Sequence, residues 1–162
     1  MSQTIPSAPR PIVIQVDRSK QPPLPEGVRL LHRQSQKLPQ VYNLRGVELW
    51  RTAPQVEGRS VTGDFILRHL EQSHLLKRCL DLVDGEAIIA KGGEAFREAF
   101  GDQPQNVLLF GSAVTGINGQ DLQEVPGLAA SGGRLTLGWF YLSHALSEVC
   151  PVALFPPLEH SK

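Results

Sequence analysis

The stretch Arg134-Leu135-Thr136-Leu137-Gly138-Trp139-Phe140-Tyr141-Leu142-Ser143 decides how this chain folds. Its apolar residues alternate, with Leu135, Leu137, Trp139 and Tyr141 on one face and Phe140 and Leu142 on the other. A strand apolar on both faces is covered on both sides, and the pattern suits a central strand or a dimer face equally. Ser131-Gly132-Gly133 ahead of it is a turn signal, so the strand reading makes it the second arm of a hairpin.

Working outward, Asn106–Thr115 (NVLLFGSAVT) reads as a strand, and Asn118-Gly119 reads as a hairpin turn. Residues 122–130 form the returning strand, with Pro126 confining it to an edge or a bulge. Residues 152–155 are a last apolar run before Pro156-Pro157. Residues 106–155 are therefore expected to form an antiparallel meander. Upstream, Thr62 or Asp64 can N-cap a helix whose apolar positions Ile66, Leu70, Leu76, Cys79, Leu80 and Val83 recur near a 3.6-residue period. One amphipathic helix is expected over 63–83, stopped by Asp84-Gly85. A second helical segment, EAIIAKGGEAFREAFG, is expected to break at Gly92-Gly93 and end at Gly101. Two strand-like segments lie at 28–33 and 41–51, the second with a bulge at Gly46 and a core or half-buried Trp50.

The fold class that follows is α+β, one compact domain with two central helices packed on a mainly antiparallel sheet and a C-terminal β-meander. Six of the 13 prolines fall in the first 25 residues. Because proline donates no backbone bond, residues 1–27 read as a flexible arm with an edge strand at 12–16. Residues 28–157 are the single domain, and 158–162 a C-terminal tail.

The 162 residues suffice for one domain, and 41% hydrophobic with 20% charged content is a globular balance rather than a disordered one. Two cysteines make neither a disulfide framework nor a zinc site alone, and Cys79 on an apolar stripe reads as a core residue. No apolar run approaches the roughly 20 residues that span a bilayer, and MSQTIPSAPRP lacks a signal-type apolar core. A cytoplasmic location without a membrane partner is expected. Net charge is zero, yet residues 1–61 carry +5, residues 62–105 carry −3 and residues 106–162 carry −2. The basic third admits a nucleic-acid partner, although no block of like charges or interleaved aromatics accompanies it.

The one local motif is Gly111-Ser112-Ala113-Val114-Thr115-Gly116 at the end of an apolar strand. With the preceding helix, this setting resembles the nucleotidyltransferase superfamily. The resemblance implies a small α/β fold with a helix at 138–150, where Gly111 and Ser112 cradle a triphosphate and Asp121 holds magnesium. Gln123 stands where that family has its second carboxylate, and residues 152–155 offer no third. Elsewhere no nucleophile, base and orienting group assemble. His69 and His74 lie about 140° apart round a helix, which does not suit a shared metal. The expectation is a non-catalytic protein-interaction or scaffold module that needs no cofactor, binding another protein or a second copy. The alternatives are a degenerate nucleotide binder using Gly111, Ser112 and Asp121, and a weak nucleic-acid binder.

Overall fold

The computed structural model describes residues 9–20, 24–33, 38–119 and 122–157. Its strands are β1 Val13–Gln15, β2 Arg29–Arg33, β3 Val41–Asn43, β4 Glu48–Trp50, β5 Val61–Thr62, β6 Asn106–Leu108, β7 Ser112–Thr115, β8 Gln123–Ser131, β9 Arg134–Tyr141, β10 Ala145–Leu146 and β11 Val152–Leu154. Four α-helices lie among the described residues: α1 Ala53–Val56, α2 Gly63–Gln72, α3 Leu82–Lys91 and α4 Gly93–Phe100. None is long and apolar enough to cross a membrane.

The stretch at 134–143 is a strand. β8 and β9 close a hairpin in which Ser131 faces Arg134, and Gly132 and Gly133 take φ of 58° and 78°. Positive φ at both turn positions is what a two-residue turn of this twist requires. Beyond Tyr141 the chain turns and enters β10, so residues 138–150 form no helix.

β8 is the spine of a seven-stranded, mostly antiparallel sheet. One edge of β8 carries β9, and the other carries β7 and then β6 end to end. The strand expected over 106–115 is thus split at residues 109–111, and the register against β8 jumps there, from Leu108↔Gly127 to Val114↔Glu124. Pro126 lies opposite this bulge. Its carbonyl accepts from the Leu109 N–H at 2.9 Å, so its donor-free nitrogen faces the same interrupted edge. β2 extends the sheet beyond β7, while β11 pairs parallel with β6 and antiparallel with β4. The meander therefore holds through β9, but the last apolar run crosses back to the middle of the sheet.

Apolar runs buried on both faces explain this layering. Val107, Leu109, Leu128, Ala153 and Phe155 face one core with Ile88 of α3 and Phe96 of α4. Leu108, Phe110, Val125, Val152 and Leu154 face a second core with Ile66 and Leu70 of α2. The single helix expected over 63–83 is two helices instead. α2 begins where Thr62 accepts from the Phe65 N–H, and stops before His74, which sits at φ 58°. Residues 76–78 form a 3-10 turn, and Cys79 bridges to Leu154 of the sheet. Asp81 then starts α3 by accepting from the N–H groups of Val83 and Asp84. A cap at Asp81 places Asp84-Gly85 in the first turn of α3, where a stop was expected. The apolar positions 79, 80 and 83 fit a helical period only because they enter two cores from a sheet-bound segment. The break at Gly92-Gly93 and the stop at Gly101 appear as expected, between α3 and α4 and after α4. In the 41–51 segment, a 3-10 turn at Leu44–Gly46 separates β3 from β4, and Trp50 is half-buried.

Candidate binding groove

The N-terminal segment supplies an unusual element. Ile12, Ile14 and Val16 alternate along β1 and are buried, whereas Val13 and Gln15 face outward. β1 pairs antiparallel with β3, with Val13 opposite Asn43 and Gln15 opposite Val41. The Leu44 N–H donates to the Ile12 carbonyl and the Val16 N–H to the Gln40 carbonyl, each at 2.8 Å. Residues 40, 42 and 44 therefore turn their main-chain groups towards β1. By the alternation of an antiparallel ladder, Val41 and Asn43 turn theirs to the opposite edge of β3.

A buried ionic cluster anchors this ribbon. Arg18 is only 5% exposed, and its guanidinium donates to both oxygens of Asp84, Nη1 to Oδ2 at 3.0 Å and Nη2 to Oδ1 at 2.9 Å. Nε donates to the carbonyls of Leu38 and Pro39, and Nη2 reaches the Pro39 carbonyl at 2.6 Å. Asp84 accepts two further bonds, from the Tyr42 hydroxyl at 2.8 Å and from the Asp81 N–H at 3.0 Å. Asp81 itself approaches Arg18 at 3.9 Å. Both carboxylates sit in or beside the first turn of α3, where the helix dipole favours negative charge. Burial pushes the Asp84 carboxyl up, to about 6, against the opposing pull of Arg18. Burial and the neighbouring Asp84 push the Tyr42 hydroxyl up as well, which keeps it a donor. The Phe155 ring lies beneath the guanidinium, 5.5 Å from its carbon, and meets the Tyr42 ring edge-on at 4.7 Å.

These contacts immobilise the walls of a groove of about 300 Å³. Pro39, Val41 and Tyr42 line one side and Phe155, Pro156 and Pro157 the other, with Asn43, Gly46 and Val47 completing it. Val41 is 55% exposed beside it. Phe155 donates its N–H away, to the Arg78 carbonyl, and the two prolines after it have no N–H. Among the described residues, the segment 155–157 thus offers no donor to the outer edge of β3.

The residues singled out from sequence lie elsewhere. Gly111 and Ser112 are buried at the split between β6 and β7. Gly111 donates to the Leu80 carbonyl, and a Cβ there would stand 2.6 Å from the Cys79 oxygen and 2.7 Å from that of Leu80. Close backbone approach accounts for this glycine. The Ser112 hydroxyl accepts from the Leu82 N–H at 3.0 Å and so satisfies the first turn of α3. Asp121 lies outside the described residues. Four basic residues of the first third are bonded within the chain: Arg18 as above, Arg45 to Glu98, Arg51 to the Glu148 carbonyl and Arg59 to Glu57. His69 packs on Phe65, and His144 packs on Tyr141. Among the described residues, no group of three or more His, Cys, Asp or Glu could hold a metal ion. Cys79 and Cys150 are buried free thiols, and burial pushes the Cys79 thiol up.

Sequence reasoning passed over Arg18, Tyr42 and Asp84. The only local trace is Asp81-Leu82-Val83-Asp84, a reciprocal capping pattern at a helix start. The partners of Asp84 lie 66 and 42 residues away, and nothing in a linear pattern pairs them. No protein-family model, curated protein or solved structure matches this chain.

Proposed function

We propose that the protein is a non-catalytic interaction module that captures an extended aliphatic or proline-containing segment of another, cytoplasmic protein in the groove along β3. The observation that carries this reading is an edge of β3 left unpaired among the described residues, facing an apolar wall at 155–157 that has no N–H to pair with it. A guest strand would exchange main-chain bonds with Val41 and Asn43, and place alternate side chains against Tyr42, Phe155 and the prolines. The buried Arg18 cluster supports the reading in a second way. Walls that are already ordered lose little entropy on binding.

Capped octapeptides of valine, threonine and proline, carrying a single N-methyl group at successive positions, test the mode directly. Binding followed by fluorescence anisotropy should vanish when alternate residues are methylated and persist when the intervening ones are. Val41→Lys, which places a charge at the exposed groove wall, should abolish binding without altering thermal stability. Equal tolerance of N-methylation at every position, or unchanged binding by Val41→Lys, would refute strand addition.

A further inference from the structure

A second concavity lies away from the β3 groove, between α4, the β8–β9 hairpin and the segment 101–105. Phe96 and Pro104, both buried, together with Leu135 form the apolar half of a lining that is otherwise polar. Two guanidinium groups stand at its exposed rim, Arg97 on α4 and Arg134 at the start of β9. Asp102 is the one carboxylate among the lining residues, 3.8 Å from Arg97 in a pair whose side chains are 65% and 84% exposed. Such a long, solvated pair holds little energy and yields readily to a better-placed anion. Arg134 has no ion pair among the described residues. Two cations against one carboxylate leave a single positive charge over a hollow whose apolar half is Phe96, Pro104 and Leu135. The volume is about 150 Å³.

We infer that this cleft binds a short aliphatic monocarboxylate, with the hydrocarbon against Phe96 and Leu135 and the carboxylate between Arg97 and Arg134. Guanidinium groups suit this task because their planar fork matches a carboxylate. A diacid or a phosphate dianion would leave charge unmatched. The chemistry is shared by a free small acid and by the terminal carboxylate of a chain ending in an aliphatic residue.

The test is a ¹H–¹⁵N shift titration of the full chain with isovalerate, its neutral amide and N-acetyl-leucine. Saturable shifts at Gly132, Gly133 and Leu135 are expected with the acids and not with the amide. Arg134→Gln should weaken the acids about tenfold, the effect of losing one charge-assisted contact, with an unchanged melting temperature. Tighter binding of N-acetyl-leucine would make a chain terminus the natural guest, and tighter binding of isovalerate a free acid. Equal binding of acid and amide, absence of saturable shifts with either acid at millimolar concentration, or indifference to Arg134→Gln would overturn the inference. None of these outcomes depends on the β3 groove, whose peptides are capped and uncharged.

Discussion

Replacing Arg18 by methionine keeps the length and apolar stem of the side chain but removes its guanidinium from a site where the side chain is 3% exposed. Asp84, with 0% side-chain exposure, is then left without its two charged donors. The Leu38 and Pro39 carbonyls lose theirs as well. Removing one partner of a buried pair destabilises by about 3–5 kcal/mol, because an uncompensated charge remains inside. For a domain of this size that is a fall in Tm of about 10 °C. The effect carries a pH signature. The folded Asp84 carboxyl already titrates at about 6, above its ordinary 3.8. A carboxyl raised in the folded state contributes stability that is present below its unfolded value and is lost as pH rises through the folded one. Without Arg18 the folded value climbs further, so the penalty of Arg18→Met is larger at pH 8 than at pH 5, where protonation neutralises the orphaned group. Urea unfolding at both pH values measures this, with Asp84→Asn and the double variant closing a cycle. The double variant should recover much of the loss at pH 8. A destabilisation under about 1 kcal/mol at pH 8, the range of an exposed pair, or an equal one at pH 5, would refute a charge-based role for the cluster.

Three further outcomes are expected. His74→Gly should stabilise the fold by about 0.5–1 kcal/mol, read as a higher urea midpoint, since His74 holds φ 58° after α2 where glycine is unstrained. Gly111→Ala should destabilise by about 2 kcal/mol or more, because its Cβ would collide with two fixed carbonyl oxygens; differential scanning calorimetry would show it, and a neutral result would disprove the close approach. Glu124 is 2% exposed, its Oε2 has no hydrogen-bond partner among the described residues, and burial pushes its carboxyl up while His144 pulls it down. Its contribution is therefore lost as pH rises through the folded value. Glu124→Gln should accordingly flatten the decline in stability as pH rises above the ordinary glutamate range, and an unchanged pH profile would show that the side chain is solvated.

Much of the architecture was legible wherever one segment carried its own instruction. Ser131-Gly132-Gly133 specifies a tight turn through residues that tolerate positive φ, and the structure decides for residues 134–141 as the strand that leaves it, over the helix alternative at 138–150. Thr62 supplies the oxygen that starts α2, and Gly92-Gly93 separates α3 from α4. The apolar runs within 106–115 and at 152–155 announce strands, and it is the structure that covers 107–110 and 152–155 on both faces. Each of these signals acts over a few residues, within the range of a turn or a repeat.

Other features depend on residues far apart in the chain. The helical period at 63–83 continues past the true end of α2 because residues 79–83 serve the sheet and the start of α3, which periodicity cannot distinguish from one helix. Gly111 carries the glycine of a phosphate-type motif, yet the neighbour that demands it is the backbone at 79–80. The groove is braced by Arg18, Tyr42, Asp84 and Phe155, which converge from four separate stretches of the chain. Local backbone preference and alternation are properties of short segments, so the letters carry turns, caps and strands directly. A buried charge pair or a wall of prolines opposite a free edge arises from closure of the whole chain, and its energy belongs to contacts that no segment makes alone.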